Sequence, residues 1–117
     1  MVTYDEIFEV FCRYAASRSQ SDWCDLWMLC TRRMEALVKT KARVLKVPPS
    51  PDDIADIVTD STILVLKRLR EASDVSPAFI SKTFWYKNMA AFKTYNRAKR
   101  KIEIEERIAQ ALNENIS

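Results

Sequence analysis

The chain contains no glycine at any of its 117 positions, and this absence restricts the fold more than any other feature. Tight β-hairpin turns need residues with positive φ, which glycine adopts most readily. Phosphate-binding loops of the glycine-rich kind need it as well. The sequence therefore argues against a sheet built from tight hairpins and against a glycine-rich nucleotide-binding loop.

Capping residues and prolines divide the chain into helices. Thr3 and Glu6 form a capping box for a helix that ends near residue 16. A polar turn over 17–21 leads into a second helix over about 22–46. Because prolines cannot continue a helix, the VPPSP sequence at 47–51 is the clearest break in the chain.

Two more helices follow this break, each with a serine cap and a proline at its first position. Ser50 is predicted to open a third helix that runs to about residue 72, and Ser76 a fourth over 76–101. The acidic segment 102–117 is predicted to be frayed or a short separate helix. The predicted fold is all-α, a small bundle of four main helices in one domain over 1–117.

Composition narrows the classes of function that the protein can have. Histidine is absent, and Cys12, Cys24 and Cys30 show no CxxC spacing, so we predict no metal site and no cofactor. Reduced, mostly buried thiols indicate a cytoplasmic protein. The N-terminus lacks the positive region of a signal peptide, and no apolar run approaches the ~20 residues of a membrane span.

The fourth helix is predicted to carry one apolar and one basic face. Between Val75 and Ile102 there are seven Lys or Arg residues and no acidic residue. At about 100° per residue, one face collects Ile80, Phe84, Ala91, Phe92 and Tyr95. The opposite face collects Lys82, Tyr86, Lys93, Arg97 and Arg100. A docking face opposite a basic face with aromatic rings is typical of a nucleic-acid-binding helix, although a merely solvated basic face has the same pattern.

Aromatic residues help to distinguish a nucleic-acid-binding face from a merely solvated one. Single-stranded nucleic acid stacks its bases on exposed rings within a basic groove. Tyr86 lies among the basic residues and is the stronger candidate. Trp85 lies at the margin of the apolar face, so it is either a second stacking ring or a core residue.

The third helix has the opposite charge. Four Asp and no Lys or Arg lie between Val47 and Leu66. Ile54, Val58, Ser61, Val65 and Leu69 form its predicted inward stripe. The two helices of opposite charge could attract each other across the bundle, but their apolar docking faces favour two outward surfaces with two partners. Paired carboxylates such as Asp53 and Asp56 lie at helical spacing on one exposed face, with no second carboxylate group predicted nearby, so we predict that the protein is not an enzyme.

The stretch from 22 to 101 resembles region 2 of bacterial sigma factors. DIVTD at 56–60 stands where the family has Asp-Leu-Val-Gln-Glu, with Thr59 in place of Gln. KNMA at 87–90 is similar to the family's Arg-Asn-Leu-Ala. The basic end at 97–101 resembles the family's basic patch, whereas the aromatic cluster is shifted from its usual place.

The resemblance implies two partners. The third helix would dock on the clamp helices of the largest subunit of RNA polymerase through Asp53, Asp56, Ile57, Thr59, Asp60 and Ile63. The fourth would bind the −10 element of promoter DNA and capture the displaced strand through Lys82, Trp85, Tyr86, Lys93, Arg97, Arg100 and Lys101.

The chain ends before a second helix-turn-helix domain, so the resemblance implies no reading of a −35 element. This layout is similar to that of minimal late sigma factors of tailed phages, which depend on a separate co-activator. Three alternatives stay open at this point. They are a decoy that occupies the polymerase clamp, a small helical adaptor or inhibitor that binds protein only, and a sequence-tolerant DNA or RNA binder.

Overall fold

The computed structural model describes residues 1–116, which form four α-helices and no strand. The helices are α1 (Tyr4–Ser17), α2 (Gln20–Arg43), α3 (Pro51–Glu71) and α4 (Pro77–Ile116). The prediction of a small all-α bundle is confirmed.

A hydroxyl side chain opens every helix. Each accepts a hydrogen bond of 3.1–3.2 Å from the backbone N–H three residues further on, and the four are Thr3, Ser19, Ser50 and Ser76. Three of these caps were predicted. The predicted bounds of α2 were wrong. Ser19 caps it, so it begins at Gln20, two residues before the predicted Asp22, and it ends at Arg43 instead of residue 46.

The core lies between α2, α3 and α4, with α1 packed on α2 and α4. Phe84 is its largest fully buried side chain and makes an edge-to-face contact with Tyr4, with ring centroids 5.4 Å apart. The predicted apolar face of α4 is confirmed, with Tyr95 half-buried at its end. The fully buried apolar side chains are Ile7, Leu26, Cys30, Met34, Val38, Val65, Leu69, Ile80 and Phe84.

Two hydroxyl groups are fully buried in α3, and both have a partner within the helix. Ser61 Oγ donates to the Ile57 carbonyl at 2.6 Å, and Thr62 Oγ1 donates to the Val58 carbonyl at 2.8 Å. These bonds replace the hydrogen bonds to water that are lost on burial. The helix can therefore bury two hydroxyl groups without a large cost in folding free energy.

Two predictions about burial were wrong. Ile57 was predicted to contact RNA polymerase from the outer surface of α3, but it is only 3% exposed and belongs to the core. Its neighbour Val58 was assigned inward and is buried too, so the stripe is wider than predicted. Cys12 and Cys24 are exposed free thiols, and only Cys30 is buried. Burial raises the pKa of the Cys30 thiol to about 12, which keeps it protonated.

The prediction for the C-terminal segment was also wrong. α4 continues without a break through the acidic residues to Ile116, and Ser117 lies outside the described residues. Every residue from Lys101 to Glu114 is exposed. The molecule measures 67 × 25 × 23 Å, because a 40-residue helix is about 60 Å long and its last turns extend beyond the bundle.

Candidate functional site

The outer face of α4 carries the predicted basic residues, and the structure leaves all of them accessible. Their side chains are exposed along one side of the helix, and they are Lys82, Lys93, Arg97, Arg100 and Lys101. Within residues 1–116, the described ion pairs lie on α1 and α2, so none of these five cations is neutralised by a neighbouring carboxylate. We call these five residues, with Trp85 and Tyr86, the basic–aromatic face.

Both rings of the basic–aromatic face are turned to solvent. Trp85 is 58% exposed and Tyr86 is 62% exposed, and they touch edge to face with ring centroids 5.2 Å apart. Phe84, one residue earlier, takes the inward position on α4. The alternative in which Trp85 is a core ring is therefore wrong, and the helix presents two adjacent accessible rings.

A groove of about 680 Å³ lies between α2 and α4 beside Trp85. Two cationic side chains of α2, Arg33 and Lys41, line it together with Asn88 and Met89 of α4. Arg33 Nε is buried and has no hydrogen-bond partner in the described residues.

Sequence reasoning missed this groove. The Arg33 guanidinium lies 4.6 Å from the centre of the Tyr4 ring, and Lys41 Nζ lies 4.8 Å from the centre of the Phe92 ring. The sequence signal for the groove was the position of Arg33 and Lys41 on the α2 face that also carries Leu37 and Met34. Such a position directs a long cationic side chain along the apolar surface of its neighbours.

The outer face of α3 carries the predicted acidic surface. Its exposed polar residues are Asp52, Asp56, Thr59 and Asp60, and Ile63 and Leu64 extend it with exposed apolar side chains. Asp60, Ile63 and Leu64 also line a small cavity with Ala91 and Thr94 of α4. We call Asp56, Thr59, Asp60, Ile63 and Leu64 the acidic face, and it borders α4 directly.

Asp53 differs from the other acidic residues because it faces α4. Its Oδ2 accepts a hydrogen bond of 3.1 Å from the Tyr95 hydroxyl, which joins the first turn of α3 to α4. The pKa of Asp53 is lowered, most strongly by hydrogen bonding to Ser50. Burial opposes this as the second-largest effect, and the Tyr95 hydroxyl and the Lys99 charge lower the pKa further. This half-buried carboxylate is therefore engaged within the molecule.

Replacing Ser50 by Ala removes the cap of α3, and we expect it to lower the free energy of unfolding by about 1 kcal/mol. The same change should raise the pKa of Asp53 toward 3.8, its ordinary value. Because the folded-state pKa is the lower one, the stabilisation from Asp53 is complete above about pH 4 and is lost as the pH falls through the folded value. Urea unfolding and an NMR titration of the Asp53 carboxyl measure both effects.

The control for this variant is Ser73→Ala, which changes an exposed serine in the loop between α3 and α4. It should leave both quantities unchanged. An Asp53 pKa that stays low in Ser50→Ala would show that the cap does not govern the carboxylate.

Neither a metal centre nor a membrane span is found in the described residues. Across residues 1–116, no three Cys, Asp or Glu side chains come together as a group that could hold a metal ion. No helix in that range is long and apolar enough to cross a bilayer. Comparison with known proteins found no matching family model, no matching curated protein and no matching solved structure.

Proposed function

We propose that the protein is a sigma region 2-like transcription initiation factor, which acts in the cytoplasm of a bacterium or of a phage-infected cell. It binds core RNA polymerase through the acidic face of α3 and promoter DNA through the basic–aromatic face of α4. The observation that carries the proposal is a pair of accessible rings, Trp85 and Tyr86, beside five cations on one side of α4 that have no ion pair in the described part of the chain.

The combination of rings and cations favours single-stranded over double-stranded DNA as the preferred ligand. Lysine and arginine attract any phosphate backbone, and this attraction does not depend on base pairing. Stacking on an exposed ring needs a base that has left the duplex, and it contributes ~1–3 kcal/mol per base. Trp85 and Tyr86 therefore favour the opened state of a promoter, and the cations hold the strand that is displaced.

The groove beside Trp85 gives an unstacked base a place to enter. Its walls combine the Trp85 ring with the apolar side chains of Leu37 and Met89, and Arg33 and Lys41 supply positive charge. The cationic ends of Arg33 and Lys41 are donors for a base carbonyl or a phosphate oxygen. Base capture at this point would keep the strands apart without any covalent chemistry.

The acidic face suits a protein partner. Asp56 and Asp60 repel nucleic acid, whereas the neighbouring Ile63 and Leu64 are exposed apolar side chains of the kind buried at the centre of interfaces. A helical partner with basic residues around an apolar strip would complement this surface. Asp53 and Ile57 are left out of the proposed interface, because one is engaged with Tyr95 and the other is buried.

Tyr86→Ala is expected to weaken binding to a DNA bubble by roughly 10-fold, because one stacked base loses its platform. Binding to the matched closed duplex should change by less than about 2-fold, since phosphate contacts remain. Fluorescence anisotropy with the two DNAs at one salt concentration measures the difference. Tyr86→Phe is the matched control, because it keeps the ring and should bind the bubble like the wild type. Equal losses on bubble and duplex would contradict the stacking role.

A further inference from the structure

The end of α4 is amphipathic, and the bundle does not cover its apolar side chains over residues 102–112. Four of its exposed apolar side chains, all 54–57% exposed, are Ile102, Ile104, Ile108 and Leu112. Ile104, Ile108, Ala111 and Leu112 lie within an arc of about 100° around the helix. We call Ile104, Ile108, Ala111 and Leu112 the tail stripe. An isolated helix of this length is marginal in water, so a covering partner would stabilise it.

The charge changes sign within the same helix, close to Ile102. Four cations lie just before this point, at Arg97, Lys99, Arg100 and Lys101. After it, Glu103, Glu105, Glu106 and Glu114 outnumber the single cation Arg107. Two antiparallel copies of this helix, centred near Ile104, would each place an acidic half beside a basic half. A parallel pair would place like charges together.

We infer that the tail stripe binds a second copy of this chain as an antiparallel helix pair. The arrangement has twofold symmetry, so both copies use the same surface. Ile104 packs near its own counterpart, and Ile108 and Leu112 pack along the aliphatic stems of Lys101 and Arg97 of the second copy. This dimer does not depend on the proposed function, but it covers Arg97 and Lys101, so the second copy and DNA compete for these two cations.

The shape of the molecule permits this pairing. The tail stripe lies on the same side of α4 as Arg97 and Lys101, which both face solvent. Because the last turns of α4 extend beyond the bundle, an antiparallel pair keeps the two bundles at opposite ends without a clash. Two molecules of 67 Å that overlap over about 24 Å of helix give a dimer with a maximum dimension of roughly 110 Å.

Sedimentation equilibrium of the full chain tests the inference. The wild type should dimerise reversibly at micromolar concentrations, because the interface is small. Ile108→Glu should raise the dimer dissociation constant at least ~10-fold, since it places a charge in the apolar seam. Ile102→Glu is the matched control, because Ile102 has the same exposure and lies about 120° around the helix from Ile108. It should dimerise like the wild type.

Small-angle X-ray scattering of the dimer then tests the orientation. A maximum dimension near 110 Å supports the antiparallel tail pair, and a dimer no longer than the monomer contradicts it. A wild type that stays monomeric up to about 1 mM would overturn the inference. An equal weakening by Ile102→Glu and Ile108→Glu would do the same, because both exposed positions can be changed without disturbing the core.

Discussion

Replacing Asp56 and Asp60 together by lysine is expected to weaken binding to bacterial core RNA polymerase by about 100-fold or more. The two carboxylates lie one turn apart on the acidic face of α3 and have no described intramolecular ion pair. Lysines at these positions would turn attraction to a basic partner into repulsion. Both side chains are exposed, so the bundle should stay folded and its helical circular dichroism unchanged.

The chain offers a matched control for this double change. Asp5 and Glu9 are also exposed carboxylates one turn apart, but they lie on α1, outside the acidic face. Asp5→Lys with Glu9→Lys alters the net charge by the same amount. Co-sedimentation with the polymerase measures binding. It should be lost in the Asp56 and Asp60 double variant and kept in the Asp5 and Glu9 double variant. If the α3 pair binds like the wild type, the acidic face is not the polymerase contact.

Replacing Arg97 and Arg100 together by glutamate is expected to weaken DNA binding by ~10- to 100-fold and to lower the slope of log K against log salt by about 2. Both guanidinium groups are exposed on the basic–aromatic face. Each phosphate contact releases about one counterion from duplex DNA, so loss of two contacts removes about two. The loss should be similar for different DNA sequences, because phosphates carry no sequence information.

Lys67→Glu with Arg70→Glu controls for the change of charge. These cations are also three residues apart and exposed, but they lie near the end of α3, away from Arg97. This pair should keep both the affinity and the salt slope close to those of the wild type, apart from a small long-range effect of net charge. Equal losses in the two double variants would mean that DNA responds to overall charge and not to the basic–aromatic face.

The sequence predicted the helices well where a local signal was present. Thr3, Ser50 and Ser76 are side chains whose chemistry favours the start of a helix, and each was found capping one. The inward residues of α4 followed from helical periodicity alone. Helix caps and helical periodicity depend only on residues close together in the sequence, so both can be predicted without a structure.

The errors arose where a decision depended on contacts between helices. Ile57 and Leu64 both lie at the edge of the α3 stripe, but only packing against the rest of the bundle decided that Ile57 is buried. Asp53 has the same chemistry as Asp56, and its engagement depends on Tyr95, 42 residues away. The groove beside Trp85 also joins distant residues, so no local pattern could show it.

The tail of α4 was mispredicted for a different reason. The acidic segment 102–117 was expected to fray or to form a short separate helix. Charge does not end a helix, however, and the segment contains neither proline nor glycine. With no break between Lys101 and Ile102, the helix continues.

The measurement that tests the central proposal most directly is binding of the intact wild-type chain to bacterial core RNA polymerase, followed by transcription from a pre-melted template. We predict that the protein co-elutes with the core enzyme and that the complex initiates on the pre-melted template. Co-elution without initiation would contradict the initiation role and point to a decoy or to a missing co-activator. Failure to bind core enzyme would contradict the sigma-like function and leave a small helical nucleic-acid binder or adaptor.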